Sequence, residues 1–208
     1  QTLEKQWSSG SAALVQALPA PQPEPAGDTQ TRAAPMNWAL LDWSLNQNLH
    51  YPYDEVALDK ARLDTTETLL TKLADNDFRG KVVLETHAGE FCLLGNANLG
   101  YRLPPPELPI DRCDFIGNPA QATDTPAAHQ SLQFANFIAS SPLLKPGGPI
   151  SLVVVAFPRA VPLVPYPARD AATTAQEWNT AATQNNRLVV RLEPSASALE
   201  ARLDHYAR

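Results

Sequence analysis

Lys81-Val-Val-Leu-Glu-Thr-His87, led in by Gly80 and followed by Ala88-Gly89, is the stretch on which the fold turns. Its run of apolar and β-branched residues from Lys81 to Thr86 reads as a strand. Upstream of it Val56, Leu58, Leu63, Leu69, Leu70 and Leu73 recur at three- and four-residue steps, the period of an amphipathic helix. Asp64-Thr-Thr-Glu67 reads as an N-cap with its capping-box glutamate, so the spacing predicts a helix over 65–75 that ends in Asp75-Asn76-Asp77. Further upstream, Trp38, Leu40, Leu41, Trp43, Leu45 and Leu49 form an apolar cluster. Part of 38–45 is expected to be strand, with both tryptophans in the core, and 49–53 to be a second extended piece broken at Pro52.

Downstream, Ile150 to Phe157 is apolar on both sides, which predicts a central strand of the sheet. Leu132, Phe134, Ala135, Phe137 and Ile138 give the buried face of a helix expected from about Thr125 to Ala139, with Pro126 at its first position and Pro142 stopping it. A polar helix rich in Ala, Thr and Gln is expected over 171–184, anchored on the core by Trp178 alone. Arg187 to Leu192 is the last strand, and 195–208 is a tail that adds a short helix through Leu199 and Leu203. Strand, helix, strand, insert, helix, strand, helix, strand is the order of an α/β (α+β) sandwich, a small mixed sheet packed by two or three helices.

Composition sets the outer limits. The chain has 208 residues, with 20 prolines and only 9 glycines. An interior proline costs a helix about 3 kcal/mol, which excludes a coiled coil or a long bundle, and collagen needs far more glycine. Residues 1–18 have the apolar spacing of a short helix, and the prolines from Pro19 to Pro35 read as a polyproline II spacer outside the globular domain of 36–194. A net charge of −6 offers no basic surface for nucleic acid. No apolar run reaches the ~20 residues of a membrane span. The chain opens at Gln1 rather than Met, which is read as a removed leader or a preceding membrane anchor.

Residues 88–126, with an insert proper of about 90–126, carry Cys92, Cys113, Pro104-Pro-Pro106 and Gly117-Asn118-Pro119, and are expected to be irregular. An even pair of cysteines without a C-x-x-C or a histidine at zinc spacing fits one disulfide in an oxidising compartment; the alternative is two buried thiols. Such a staple would stabilise the insert by roughly 3 kcal/mol.

Four of these segments together resemble the OmpA-like, or MotB C-terminal, domain of bacterial envelopes. Leu69-Leu-Thr-Lys-Leu73 followed by Lys81 to His87 is similar to that family's helix and strand running into a Gly-His-Thr-Asp turn. Gln130 to Ile138 is similar to its second helix, Ile150 to Phe157 to its next strand, and Asn185-Asn-Arg-Leu-Val-Val-Arg-Leu192 to its closing Asn-Arg-Arg-Val-Glu-x-x-Leu. In the family an aspartate of the turn and an arginine opening the second helix grip the diaminopimelate of peptidoglycan through opposite charges. Here Gly89 stands at the aspartate position, Gln130 near the arginine position, and only Arg187 of the closing arginine pair remains. A zwitterion buried there would lack matched partners.

The resemblance therefore implies a non-catalytic periplasmic domain tethered to the inner or outer membrane, acting as a protein-interaction or sensory module. Its partner would be an envelope protein or the cell wall, with a homodimer also open, and membrane contact would come only through an anchor outside this chain. The alternative is a peptidoglycan anchor with a rearranged site, as in stator-type proteins. The ligand-binding candidates are His87, Gly89, Glu90, Arg102, Gln130, Asn185 and Arg187. No cofactor or metal is expected, since His50, His87, His129 and His205 are scattered. Cys92 and His87 could form a nucleophilic pair, but the disulfide reading is preferred over it. Asp111, Asp114 and Asp124 are expected to be solvated, and Arg159, Arg169 and Arg187 to be separate surface residues.

Overall fold

A computed structural model describes Leu41 and residues 49–195. All of them belong to the second of two compact units, Met36–Arg208. The expectations for 1–35, for Trp38 and Trp43, and for the tail beyond Ser195 lie outside the described residues. Of 38–45 only Leu41 is described, and it is helical rather than extended.

The elements run α1 (Lys60–Asp75), β1 (Gly80–His87), β2 (Phe91–Asn96), β3 (Gly100–Arg102), β4 (Phe115–Gly117), α2 (Leu132–Ser140), β5 (Ile150–Ala156), α3 (Ala175–Asn185) and β6 (Arg187–Pro194). They build two three-stranded sheets, β5-β1-β6 and β3-β2-β4. The first is mixed. β1 lies parallel to β5 and antiparallel to β6, with Leu84 paired to Val154 on one side and to Val190 on the other. Residue 50 adds a bridge to Arg187 beyond β6, so the extended piece near Pro52 sits at that edge. No described helix is long and apolar enough to cross a membrane.

Strand periodicity sends Val82 and Leu84 of β1, Leu188 and Val190 of β6 and Ile150 of β5 to one face. There they meet Leu70 and Leu73 of α1 and Phe134 of α2 in the main core. The central strand is therefore β1, not Ile150–Phe157. β5 is an edge among the described residues, paired with β1 alone; its Leu152 and Val154 pack on the core while Val153 on the other face is 38% exposed.

α1 begins earlier than its predicted cap. Asp59 is the N-cap, its Oδ1 accepting from the Arg62 N–H at 3.0 Å, and Asp64 lies within the helix. The hydroxyls of Thr65, Thr66, Thr68 and Thr71 donate to carbonyls four residues back, which accommodates them in a helix interior. α2 begins later than predicted. Residue 130 bridges Leu58, and the Leu58 N–H donates to the His129 carbonyl at 2.9 Å, holding the chain extended until Ser131 caps the helix. Pro126 thus sits in a turn, not at a helix start.

The insert is not irregular. β2, β3 and β4 form an antiparallel sheet of their own, and the Cys92–Cys113 disulfide joins β2 to the segment before β4. Cys92, Ile110, Ala175 and Trp178 share one small core, and Phe91, Leu93 and Ala182 another. α3 consequently packs on the insert, and Trp178 is not its lone anchor, since Ala175, Ala181 and Ala182 are buried with it. The proline-rich segment serves that helix: Ala175 and Gln176 donate their N–H groups to the carbonyls of Leu108 and Pro106, completing a capping box made by Thr174 and Glu177.

Candidate functional site

The densest polar chemistry gathers where β1 and β5 end and β6 begins. Alternation along β1 divides it. Thr86 faces the helices, while Glu85 and His87 project from the opposite face, 8% and 6% exposed.

On the helix side, His129 is fully buried between Thr86 Oγ1 at 2.6 Å and the Thr123 carbonyl at 3.0 Å. A carbonyl only accepts, so Nε2 carries the proton and Nδ1 accepts from the threonine hydroxyl. Burial lowers the His129 pKa, against the Thr123 bond and Asp124, which raise it. The ring is a neutral structural group.

On the other side, the His87 imidazole stacks on Phe157 with ring centres 4.5 Å apart. Its Nε2 is buried without a hydrogen-bond partner, 4.0 Å from Oε2 of Glu85. Glu85 is engaged elsewhere, accepting from Arg191 Nε at 2.5 Å. Burial lowers the His87 pKa; Glu85 opposes that, and Arg187, Arg191 and His129 reinforce it. His87 is therefore neutral near pH 7. Both cysteines are tied in the disulfide, so the Cys92–His87 nucleophile does not form.

A narrow cleft with room for about one water molecule opens beside His87, walled by Phe157, Arg159, Leu163, Tyr166 and Asn185. Apart from His87 Nε2, its polar side chains are already engaged. Arg159 Nε donates to Asp124 Oδ1 at 2.7 Å and its Nη2 to the Ala122 carbonyl, so Asp124 is ion-paired rather than solvated. Asp114 is exposed, as expected, and accepts from the Gly95 N–H at 2.8 Å. Asn185 grips the Val164 backbone twice, donating to its carbonyl and accepting from its N–H, both at 2.8 Å.

The turn after β1 is equally internal. The Gly89 N–H donates to Asn186 Oδ1 at 3.0 Å, and its carbonyl accepts from Asn118 Nδ2. A Cβ on Gly89 would stand 2.1 Å from the Ala182 carbonyl oxygen. Asn186 Nδ2 donates to the carbonyls of Tyr51 and Pro52, and the Tyr51 hydroxyl donates to the His87 carbonyl at 2.6 Å, with Gln121 beside it. Burial pushes the Tyr51 pKa up, keeping the phenol protonated. The Glu90 backbone is held at both ends: its N–H donates to the Tyr166 hydroxyl at 2.7 Å, and its carbonyl accepts from Trp178 Nε1 at 2.7 Å.

Of the sequence candidates, His87, Gly89, Glu90, Asn185 and Arg187 thus come to this end of the molecule, with Arg187 directly across from His87 in the β1–β6 register. Arg159, following β5, reaches the same end, whereas Arg169 is an exposed loop residue. Gln130 lies on the helix side, next to His129, and its buried Oε1 has no hydrogen-bond partner. Arg102 stands apart on β3 of the second sheet, paired with Leu94. Tyr51, Asn118, Gln121, Asn186 and Tyr166 complete the network, though none of them is among the binding candidates. Only the turn pair Asn118-Pro119 and the doubled Asn185-Asn186 hint at them in the sequence. Comparison with protein-family models, curated proteins and solved structures finds no match for this chain.

Proposed function

We propose that this chain is a non-catalytic binding domain of the cell envelope, an OmpA-like module whose diaminopimelate site has been rebuilt into internal structure. The observation that carries the reading is the turn at Gly89. At the position where the resembled family reads an ammonium with an aspartate, this chain has a glycine packed against α3, with both backbone polar groups bonded to Asn186 and Asn118. A side chain has no room there, and Gln130 supplies no charge in place of the arginine. The disulfide fits the oxidising compartment that the reading requires. The order of helices and strands fits the segments that carry the resemblance.

The role left to such a domain is recognition of another protein, or sensing, in the periplasm. Incubation of the purified chain with isolated sacculi, with and without free diaminopimelate, tests it. The protein is expected in the unbound fraction. Retention that diaminopimelate competes away would overturn the proposal in favour of a peptidoglycan anchor with a rearranged site.

A further inference from the structure

The outer edge of β5 differs from every other strand edge in the first sheet. On its inner side β5 follows β1 in parallel register. The Pro149 carbonyl accepts from the Gly80 N–H, and the Phe157 N–H donates to the Thr86 carbonyl, each at 2.9 Å. In a parallel ladder the backbone groups of successive residues point alternately to the two sides. Odd-numbered residues therefore bond to β1, and the N–H and C=O groups of Ile150, Leu152, Val154 and Ala156 point outward. Among the described residues no backbone group pairs with the outward row of Leu152, Val154 and Ala156.

Sheet edges of this kind are normally blunted by lysine, proline, a bulge or a short length. β5 has none of these. Ile150-Ser-Leu-Val-Val-Val-Ala156 carries no charge in a chain of net charge −6, and no proline interrupts it. Its sequence also fits itself. An antiparallel partner related by a two-fold axis at Val153 sets Leu152 opposite Val154 and Ile150 opposite Ala156. Those are the outward-pointing residues, so the free row of one copy meets the free row of the other with no group left over. An axis at Leu152 or Val154 would set Ala156 opposite Gly148 or Ile150 opposite Pro158, outside the strand, and an axis between two residues would set outward groups against inward-bonded ones. The same pairing brings Leu152 and Val154, which already pack on the core, against their symmetry mates, and places Val153 against Val153. No like charges oppose one another anywhere along the contact.

We infer that β5 is a homodimerisation edge, through which two copies of this chain join their first sheets into one continuous sheet by antiparallel β5–β5 pairing about Val153. The inference is independent of the envelope reading, since it rests on the register of β5 alone.

Sedimentation velocity and oxidative crosslinking of the full chain test it, with four substitutions. The wild-type chain is expected to be dimeric at about 100 μM, a concentration that reveals even a micromolar contact. Val153→Lys sets two ammonium groups face to face and should raise the dimer dissociation constant at least about ten-fold. Val153→Thr, uncharged and strand-compatible, should leave it nearly unchanged. Val153 is a non-hydrogen-bonded pair in this register, where Cα atoms come to about 4.5 Å. Val153→Cys should therefore crosslink two chains under mild oxidation, and Ser151→Cys, which faces Val155 of the other copy, should not. A monomeric wild type, a dimer indifferent to Val153→Lys, or equal crosslinking at both cysteine positions would each overturn the inference. The crosslinking result decides the matter even if the lysine variant fails to fold.

Discussion

The Asn186 side chain joins three segments at once. It accepts from Gly89 and Asn118 and donates to the carbonyls of Tyr51 and Pro52, while fully buried. Asn186→Ala would leave those groups without partners away from water, and a loss of about 3 kcal/mol is expected in urea denaturation. Gly89→Ala should be as damaging for a different reason, since its Cβ would meet a backbone oxygen that no rotamer change can move; a loss of about 3 kcal/mol is expected. The buried histidines give a third expectation. His87 and His129 both have pKa values lowered below 6.5, chiefly by burial. Near pH 6 the unfolded chain therefore binds more protons than the folded one. Their contribution is complete above the unfolded value of 6.5 and declines as pH falls through 6.5 towards the folded values. The urea midpoint should be higher near pH 7.5 than near pH 5.5, and His87→Phe should flatten part of that slope. Little of this network was legible in the sequence. His87 and Gly89 could be placed on a turn after a strand, but an asparagine's partners depend on which loops the topology brings to it.

At the scale of elements, the sequence carried local patterns well and neighbours poorly. The strands at Lys81–Thr86, Ile150–Phe157 and Arg187–Leu192 form as their residues predict, because β-branched runs bounded by glycine and proline leave few alternatives. Which of them is central did not follow. An apolar run on both faces suggests burial on both sides, yet β5 keeps its odd-numbered valines on a partly open face and β1, with a glutamate and a histidine, takes the middle. The insert was illegible for another reason. Its strands β3 and β4 have three residues each, too short for any period to register. The cysteine pair was the readable part, and it holds this small sheet against α3. Reduction of Cys92–Cys113 is expected to destabilise the domain by about 3 kcal/mol. Thermal melts with and without a phosphine reductant would check it, with a lower midpoint expected on reduction.

Across the whole molecule, the pairings that complete the first sheet join distant parts of the chain. The Arg191–Glu85 ion pair spans 106 positions and the Lys81–Glu193 pair 112. β6 lies between β1 and the segment at residue 50, so it supplies the last strand of the sheet and also its link to the beginning of the domain. A growing chain therefore has to wait for its final strand. Until Arg187 to Pro194 has been made, β1 has an unsatisfied side and the apolar residues of α1 and α2 have only part of their floor. Contacts this remote in sequence make folding slow compared with that of a helical bundle of similar size. The interval before β6 arrives is when the domain is most vulnerable to proteases and to aggregation through its strands. A chain ending before Arg187 should accumulate as insoluble or degraded material instead of a smaller folded domain.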